Sequence, residues 1–321
     1  MKKIVCLDGY TLNPGDNPWD PISSLGDLVI YDRSTGGIDE VIERAKLASI
    51  LLTNKTPISR EVIDATPDLE CIAVLATGYN VVDTSYAREK GIPVVNVPVY
   101  GTNTVAEMVF ALIFQLVRNV SQNSTDVRDN MGWTKNSDWT YWLTPQIELA
   151  GKTIGIIGFG NIGQRVGELG TAFRMNVVAH DNYAKSLPDY QHEMVGLQEL
   201  FERSDIVSLH CPALPDTINL MDRYRFDQMK DTAYLINTSR GQLVVEADLA
   251  SALNQGIIAG AGLDTLQQEP PAANNPLLTA KNCFITPHVA WATLDARRRI
   301  MEMVAANIRS CLEGNPVNVV N

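Results

Sequence analysis

The chain holds four histidines, so the search for a side chain that gives and takes a proton near neutrality is short. His180 sits in an apolar run before Asp181, His192 lies in a polar stretch, and His210 ends a run that stops at Cys211-Pro212. His288 closes Cys283-Phe284-Ile285-Thr286-Pro287-His288. A histidine at a strand end is most often structural, but His288 has two companions at neighbouring strand ends. Arg240, in Asn237-Thr238-Ser239-Arg240-Gly241, offers a planar fork that grips a carboxylate through two hydrogen bonds. Glu269, in Leu266-Gln267-Gln268-Glu269-Pro270-Pro271, offers a carboxylate for one imidazole nitrogen. Such a pairing fixes the tautomer and favours the protonated ring, giving an acid suited to neutral pH. An arginine that binds and polarises a 2-keto acid, beside an imidazolium that protonates its carbonyl oxygen, equips a site for reduction by a nicotinamide.

A nicotinamide cofactor needs a bed, and residues 153–163 provide one. Thr153-Ile154-Gly155-Ile156-Ile157 reads as a buried strand of a parallel sheet. Gly158, Gly160 and Gly163 follow at G-x-G-x-x-G spacing. They serve a tight turn, room for a pyrophosphate against bare backbone, and close packing of the next helix on the strand. That helix, expected over about 162–173, points its N-terminal amides at the pyrophosphate. A second strand over 175–181 ends in Asp181, about 20 residues past the glycines, where a carboxylate bonds the ribose hydroxyls of NAD. A structural glycine turn has no need of that strand and acid in register.

Bulk properties narrow the partners. At 321 residues the length suggests about two domains, each with its own core. A formal net charge of -11 argues against nucleic acid or an anionic membrane surface. The five cysteines are scattered and lack C-x-x-C spacing. That pattern suits reduced thiols in the cytoplasm, with no disulfide framework and no metal site. The apolar run at the N-terminus stops at Asp8, too short for a signal peptide, and no run approaches the length of a membrane span.

Along the chain, strands are expected at 3–7, 28–31, 50–53, 71–75 and 94–95, with helices at 38–45 and 60–66 among them. This is a small α/β layer on a parallel sheet. Its fourth strand runs into Ala76-Thr77-Gly78-Tyr79-Asn80, a glycine turn at the carboxyl end of a strand, which is either a place where ligands collect or a plain turn. A long apolar helix is expected over 104–119, with Thr102 or Asn103 as its cap. The irregular stretch after it, about 129–145, holds three of the five tryptophans. Either they pack a partner subunit or cover a cleft, or the loop folds onto its own body. Further βα units follow, with strands at 206–210, 233–237, 258–264 and 283–288 and helices at 197–203, 222–229 and 246–254. Cys211, Arg240, Asp264 and His288 thus fall just past strand ends. A last helix over 293–313 carries Arg297, Arg298 and Arg299, which read as a solvated face or a helix pairing surface.

Taken together the motifs resemble the D-isomer-specific 2-hydroxyacid dehydrogenases over essentially the whole chain. The residues that carry the resemblance are 76–80, Thr104-Val105-Ala106-Glu107, the glycine loop, 237–241, Leu263-Asp264 with Glu269-Pro270, and Thr286-Pro287-His288. The resemblance implies a catalytic trio of Arg240, Glu269 and His288. It implies that the backbone around Thr77, Gly78 and Tyr79 receives the substrate carboxylate, together with Arg240 and His288. NAD would lie on Gly158, Phe159, Gly160, Asn161, Ile162, Gly163 and Asp181, and touch Thr104, Cys211, Thr238, Ser239, Arg240, Asp264 and His288. The implied architecture is α/β with two domains. A Rossmann-type doubly wound sheet (102–291) is inserted into a smaller flavodoxin-like substrate domain (1–101), to which 292–321 returns as a helix and tail. Trp139-Thr140-Tyr141-Trp142 and Ala290-Trp291-Ala292-Thr293 are most similar to the glycerate dehydrogenase (hydroxypyruvate reductase) branch. That implies reduction of hydroxypyruvate or glyoxylate to D-glycerate or glycolate. The apolar helix from Thr104 beside Trp133, Trp139 and Trp142 is more apolar surface than a monomer usually leaves in one place, so a homodimer is expected with that helix and the tryptophan-rich segment as its interface.

Departures weigh on the alternatives. Formate dehydrogenases of this family carry Gln where Glu269 stands. Phosphoglycerate dehydrogenases often carry a regulatory extension, whereas this sequence stops at Asn321, and residues 76–80 show no added cations for a phosphate. A different class, an NAD-sensing corepressor, shares the fold and can retain the trio, since fold alone does not assign function.

Overall fold

The computed structural model describes every residue except Lys185. It divides into two compact units, Met1–Tyr100 with Ala292–Asn321, and Gly101–Trp291.

The first unit runs β1 (Lys3–Cys6), α1 (Asp20–Ser23), β2 (Asp27–Ile30), α2 (Ile38–Ala45), β3 (Ile50–Thr53), α3 (Arg60–Asp64), β4 (Cys71–Val74), α4 (Thr84–Glu89) and β5 (Val94–Val95). Among the described residues the strands form one parallel sheet in the order β2-β1-β3-β4-β5, a flavodoxin-type order. β3 and β4 are buried at every position, which is why they read as unbroken apolar runs rather than alternating ones.

The second unit contains α5 (Thr102–Arg118), α6 (Val120–Arg128), α7 (Gly132–Lys135), β6 (Thr153–Ile157), α8 (Asn161–Ala172), β7 (Asn176–His180), β8 (Glu193–Met194), α9 (Leu197–Arg203), β9 (Ile206–Leu209), α10 (Arg223–Phe226), β10 (Tyr234–Asn237), α11 (Glu246–Gln255), β11 (Gly260–Leu263) and β12 (Cys283–Ile285). The sheet order is β12-β11-β10-β9-β6-β7-β8, so direction reverses between β6 and β9, as in a doubly wound Rossmann sheet. The chain then returns to the first unit as α12 (Leu294–Leu312). Thr293 caps that helix, its hydroxyl accepting from Ala296 N at 3.3 Å.

Several elements depart from the sequence reading. α5 starts at Thr102, and its cap is Gly101 without a side-chain hydrogen bond, so neither Thr102 nor Asn103 serves as cap. Asn119, at φ 47°, turns the chain out of α5 and into α6, a backbone region asparagine tolerates. The stretch expected to be irregular contains the single turn α7. The last strand stops at Ile285 rather than at His288. Pro287 has no amide to offer a ladder, and His288 at φ 53° cannot continue one.

α5 buries Val109, Phe110, Leu112, Ile113, Leu116 and Val117 in its own unit's core. It lies close on β11 because that strand presents glycine toward it. A Cβ on Gly260 would stand 2.9 Å from Leu116 Cδ2, and one on Gly262 would stand 2.9 Å from Leu112 Cβ. Its apolar composition is therefore that of a core helix; among the described residues no single helix is long and apolar enough to cross a membrane.

Candidate active site

Sheet register lines up the chemistry. His180 of β7 pairs with Ile157 of β6, Ile157 with Leu209 of β9, Leu209 with Asn237 of β10, Asn237 with Leu263 of β11, and Leu263 with Ile285 of β12. The residues just beyond these ends are Asp181, the glycine loop, Cys211, Thr238 to Arg240, Asp264, and Thr286 to His288. They form one continuous crest, and the β6/β9 reversal within it is where open α/β sheets bind ligands.

The loop residues fit a dinucleotide. Gly158 has φ 90°, and a Cβ there would lie 2.4 Å from Cys211 N. A Cβ on Gly163 would lie 2.1 Å from Gly158 O; only glycine lets α8 start this close to β6. Among the described residues nothing lies within 4 Å of a Cβ position on Gly160, so open space borders bare backbone, beside Asn161 and Ile162 in the first turn of α8. Thr238 Oγ1 is buried without a protein partner among the described residues, leaving a hydroxyl for a ligand on this crest. Phe159 contributes differently: its ring is fully buried, and its amide donates to Asp181 Oδ2 at 2.7 Å. Asp181 Oδ1 accepts from Tyr183 N at 2.7 Å, so the carboxylate is fixed at the end of β7.

A carboxylate held there repels a 2′-phosphate, and juxtaposed like charges cost several kcal/mol. The catalytic efficiency with NADH should therefore exceed that with NADPH by about a hundredfold, and Asp181→Asn should narrow the gap. Equal efficiencies in the unmodified protein would sink this assignment. Lys185, the nearest cation in sequence, lies outside the described residues.

Hydrogen bonds fix the turn after β10. Asn237 Oδ1 accepts from Ser239 N at 3.0 Å, and its Nδ2 donates to Arg240 O at 2.9 Å. Ser239 Oγ donates to Cys211 O at 2.7 Å. Asn237 is thus a positioning residue that the sequence reading did not single out, although an asparagine bonding its own backbone two residues on is a recognisable turn signal. Burial pushes the Cys211 thiol up to about 11, so it meets a ligand as a neutral group. Arg240 is exposed and its Nη1 donates to Ser239 O at 2.8 Å. A Cβ on Gly241 would fall 1.9 Å from the Leu266 carbonyl carbon. This close approach sets the arginine turn against the segment that leads to Glu269.

Glu269 and His288 form the central pair. His288 Nδ1 donates to Glu269 Oε2 at 2.7 Å, and Glu269 Oε1 accepts from Leu266 N at 3.1 Å. The outward nitrogen, Nε2, is left as the one that can carry a transferable proton. Asp264, expected beside the cofactor, is 1% exposed, and both its oxygens take donors from the His288 loop. Oδ1 accepts from Thr286 Oγ1 at 2.5 Å and from Val289 N at 2.9 Å, and Oδ2 accepts from Ala290 N at 2.8 Å. Thr104 Oγ1 donates to Ala290 O at 3.2 Å, and Trp291 Nε1 to His288 O at 2.9 Å. A buried carboxylate thereby anchors the loop in which His288 takes a left-handed conformation, φ 53°, uncommon for residues other than glycine.

The other histidines are otherwise engaged. The Nδ1 atoms of His180 and His192 face the Val195 and Tyr190 carbonyls at 3.0 and 2.8 Å. His210 pairs with Ser208 Oγ at 2.8 Å, and burial draws it down to about 3, leaving it neutral at ordinary pH. Among the described residues His288 alone of the histidines has a carboxylate partner.

In the first unit, Thr77 Oγ1 donates to Val97 O at 2.7 Å, and Asn96 Nδ2 to Thr77 O at 2.8 Å. These bonds brace the turn from the side. Among the described residues the amides of Thr77, Gly78 and Tyr79 donate to no protein acceptor, which leaves a run of donors suited to an anion.

Comparison with known proteins adds three findings. A family model described as D-isomer specific 2-hydroxyacid dehydrogenase, NAD binding domain, matches residues 110–290. A hydroxypyruvate reductase of Blautia hydrogenotrophica is 46% identical over 321 residues, 99% of each chain; a glycerate dehydrogenase of Methylorubrum extorquens is 39% identical over 289 residues, 89% of this chain and 90% of that one. The crystal structure of the TT0316 protein from Thermus thermophilus superposes with a TM-score of 0.88 at 33% identity, covering 99% of this chain and 100% of that one.

Proposed function

Since the chain belongs to the D-isomer specific 2-hydroxyacid dehydrogenases, we propose that it reduces hydroxypyruvate or glyoxylate to D-glycerate or glycolate with NADH. The observation that carries this reading is the His288–Glu269 pair at 2.7 Å, on a strand end beside the Arg240 turn. The full-length relative named as a hydroxypyruvate reductase supports the choice of substrate. Bound nicotinamide supplies the hydride. Arg240 grips the substrate carboxylate and polarises the neighbouring carbonyl. As negative charge grows on the carbonyl oxygen, His288 delivers the proton from Nε2, and Glu269 stabilises the imidazolium without carrying the proton itself. In the reverse direction neutral His288 removes the hydroxyl proton of a D-2-hydroxy acid.

The test is loss of NADH absorbance on adding hydroxypyruvate or glyoxylate to purified protein. Tight NADH binding with no turnover of either acid would defeat the proposal in favour of an NAD-sensing binding protein.

We also propose a homodimer. The apolar stripe of α5 is used within its own unit, so the expected interface moves to the segment after it. Val120, Met131, Trp133, Trp139, Trp142 and Leu143 are all exposed there, Trp139 by 85%. Monomers seldom leave such an aromatic-rich patch to solvent. Tyr141 is tied down by its hydroxyl, which donates to Asp126 Oδ2 at 2.5 Å, so the patch has a defined shape. Sedimentation at micromolar concentration should give a dimer; a monomer there would refute it.

A further inference from the structure

We propose that Cys71 and Cys311 form an oxidisable thiol pair, a modification site that a peroxide converts into a disulfide joining β4 to the last turn of α12. Their Sγ atoms lie 2.7 Å apart across 240 positions of sequence. Cys71 opens β4 and is buried, whereas Cys311 is partly exposed. A peroxide therefore reaches Cys311 first and finds a second sulfur directly behind it.

The contact also sorts the two roles. The hydrogen bond between them, with burial, holds the Cys71 thiol protonated, and the same bond favours the thiolate at Cys311. The thiolate is the nucleophile in such chemistry. Cys311 sulfur attacks one peroxide oxygen, the O–O bond breaks, and the other oxygen leaves as hydroxide, which takes a proton to become water. The resulting sulfenic acid is then attacked by the Cys71 sulfur as its own proton is lost. The S–S bond forms, the S–O bond breaks, and a second water departs. In sum two thiols and one hydrogen peroxide give a disulfide and two waters; the sulfurs lose two electrons and the peroxide gains them. Cys6, Cys211 and Cys283 are held protonated by burial instead.

The site is separate from the chemistry described above. Cys71 stands at the amino end of β4, and the 76–80 turn follows its carboxyl end. The bond would tie the returning helix to the sheet covalently. At present α12 is held by its buried face, including Ile300, Val304 and Ile308, and by the fork of Arg297 on Asp16 at 2.5 and 2.7 Å. Closing so long a loop restricts the unfolded chain, so oxidation should show in stability and leave turnover unchanged.

The experiment treats the whole protein with a small excess of hydrogen peroxide, alkylates the remaining thiols, and maps non-reduced peptides by mass spectrometry. The expected result is loss of two of the five thiols and a linked peptide pair containing Cys71 and Cys311. The melting temperature should rise by about 5 °C, and dithiothreitol should reverse both changes. Cys311→Ser, at a partly exposed position, should abolish the linked peptide and the thermal gain. Cys71→Ala should leave Cys311 as a sulfenic acid that dimedone traps. Survival of all five thiols, or a link that omits either cysteine, overturns the proposal.

Discussion

Replacing His288 by alanine should lower kcat for hydroxypyruvate reduction about a hundredfold or more, the usual worth of a positioned acid, while NADH binding should stay within a few fold. The loop around His288 is anchored by the amides of Val289 and Ala290 on Asp264, not by the imidazole, so truncation leaves the crest in place. Position 288 has φ 53°, where alanine is strained and asparagine is not. His288→Asn is therefore the companion variant. It keeps the left-handed backbone and supplies a polar group without a transferable proton, so it should lose as much kcat as alanine. Steady-state kinetics give the first quantity and NADH fluorescence titration the second. Near-normal turnover in both variants would mean that the proton comes from elsewhere. His210, neutral because burial draws it down to about 3, would be a poor replacement.

Much of this site was legible from the chain because it is built from local signals repeated at fixed places. Each parallel strand is a short apolar run, and the residues that follow it must lie on the crest wherever the strand sits in the sheet. Gly158 and Gly163 were readable for a related reason: backbone and helix approach there so closely that no side chain fits. What escaped reading depends on contacts distant in sequence or on backbone geometry. The service of Asp264 to Val289 and Ala290 joins residues 25 and 26 positions apart, and no spacing rule announces it. The meeting of Cys71 and Cys311 is more remote still; scattered single cysteines gave no hint of a pair. The last strand was overextended to 286–288 because those residues follow the apolar Cys283-Phe284-Ile285 directly, while proline and a left-handed histidine end the ladder. The cap of α5 was misplaced because threonine and asparagine both precede an apolar run, and either makes a plausible cap until the backbone shows helix already begun at Thr102. That α5 is a core helix was not readable for a similar reason: an apolar helix reads the same whether it faces a partner or its own sheet, and it is the glycines at 260 and 262 that bring it onto β11.

Glu269→Gln should separate the acid from the group that tunes it. The carboxylate lies 2.7 Å from His288 Nδ1 and opposes the charge of the imidazolium, so it stabilises the protonated ring. Glutamine offers one acceptor where glutamate offers two, so it can serve Nδ1 or Leu266 N but not both, and it removes the negative charge. Both side chains retain some solvent contact, at 29% and 35%, so the lost attraction is that of a partly screened pair, about 1–2 kcal/mol. That attraction is made only with the charged ring that hands over the proton, so its loss should lower kcat for hydroxypyruvate reduction about tenfold and leave NADH binding within a few fold. Glu269→Ala removes every acceptor as well as the charge and should lose more. Steady-state kinetics with hydroxypyruvate and NADH fluorescence titration give the two quantities. A variant merely damaged in structure would lose NADH binding together with turnover. Near-normal kcat in both variants would remove Glu269 from the mechanism.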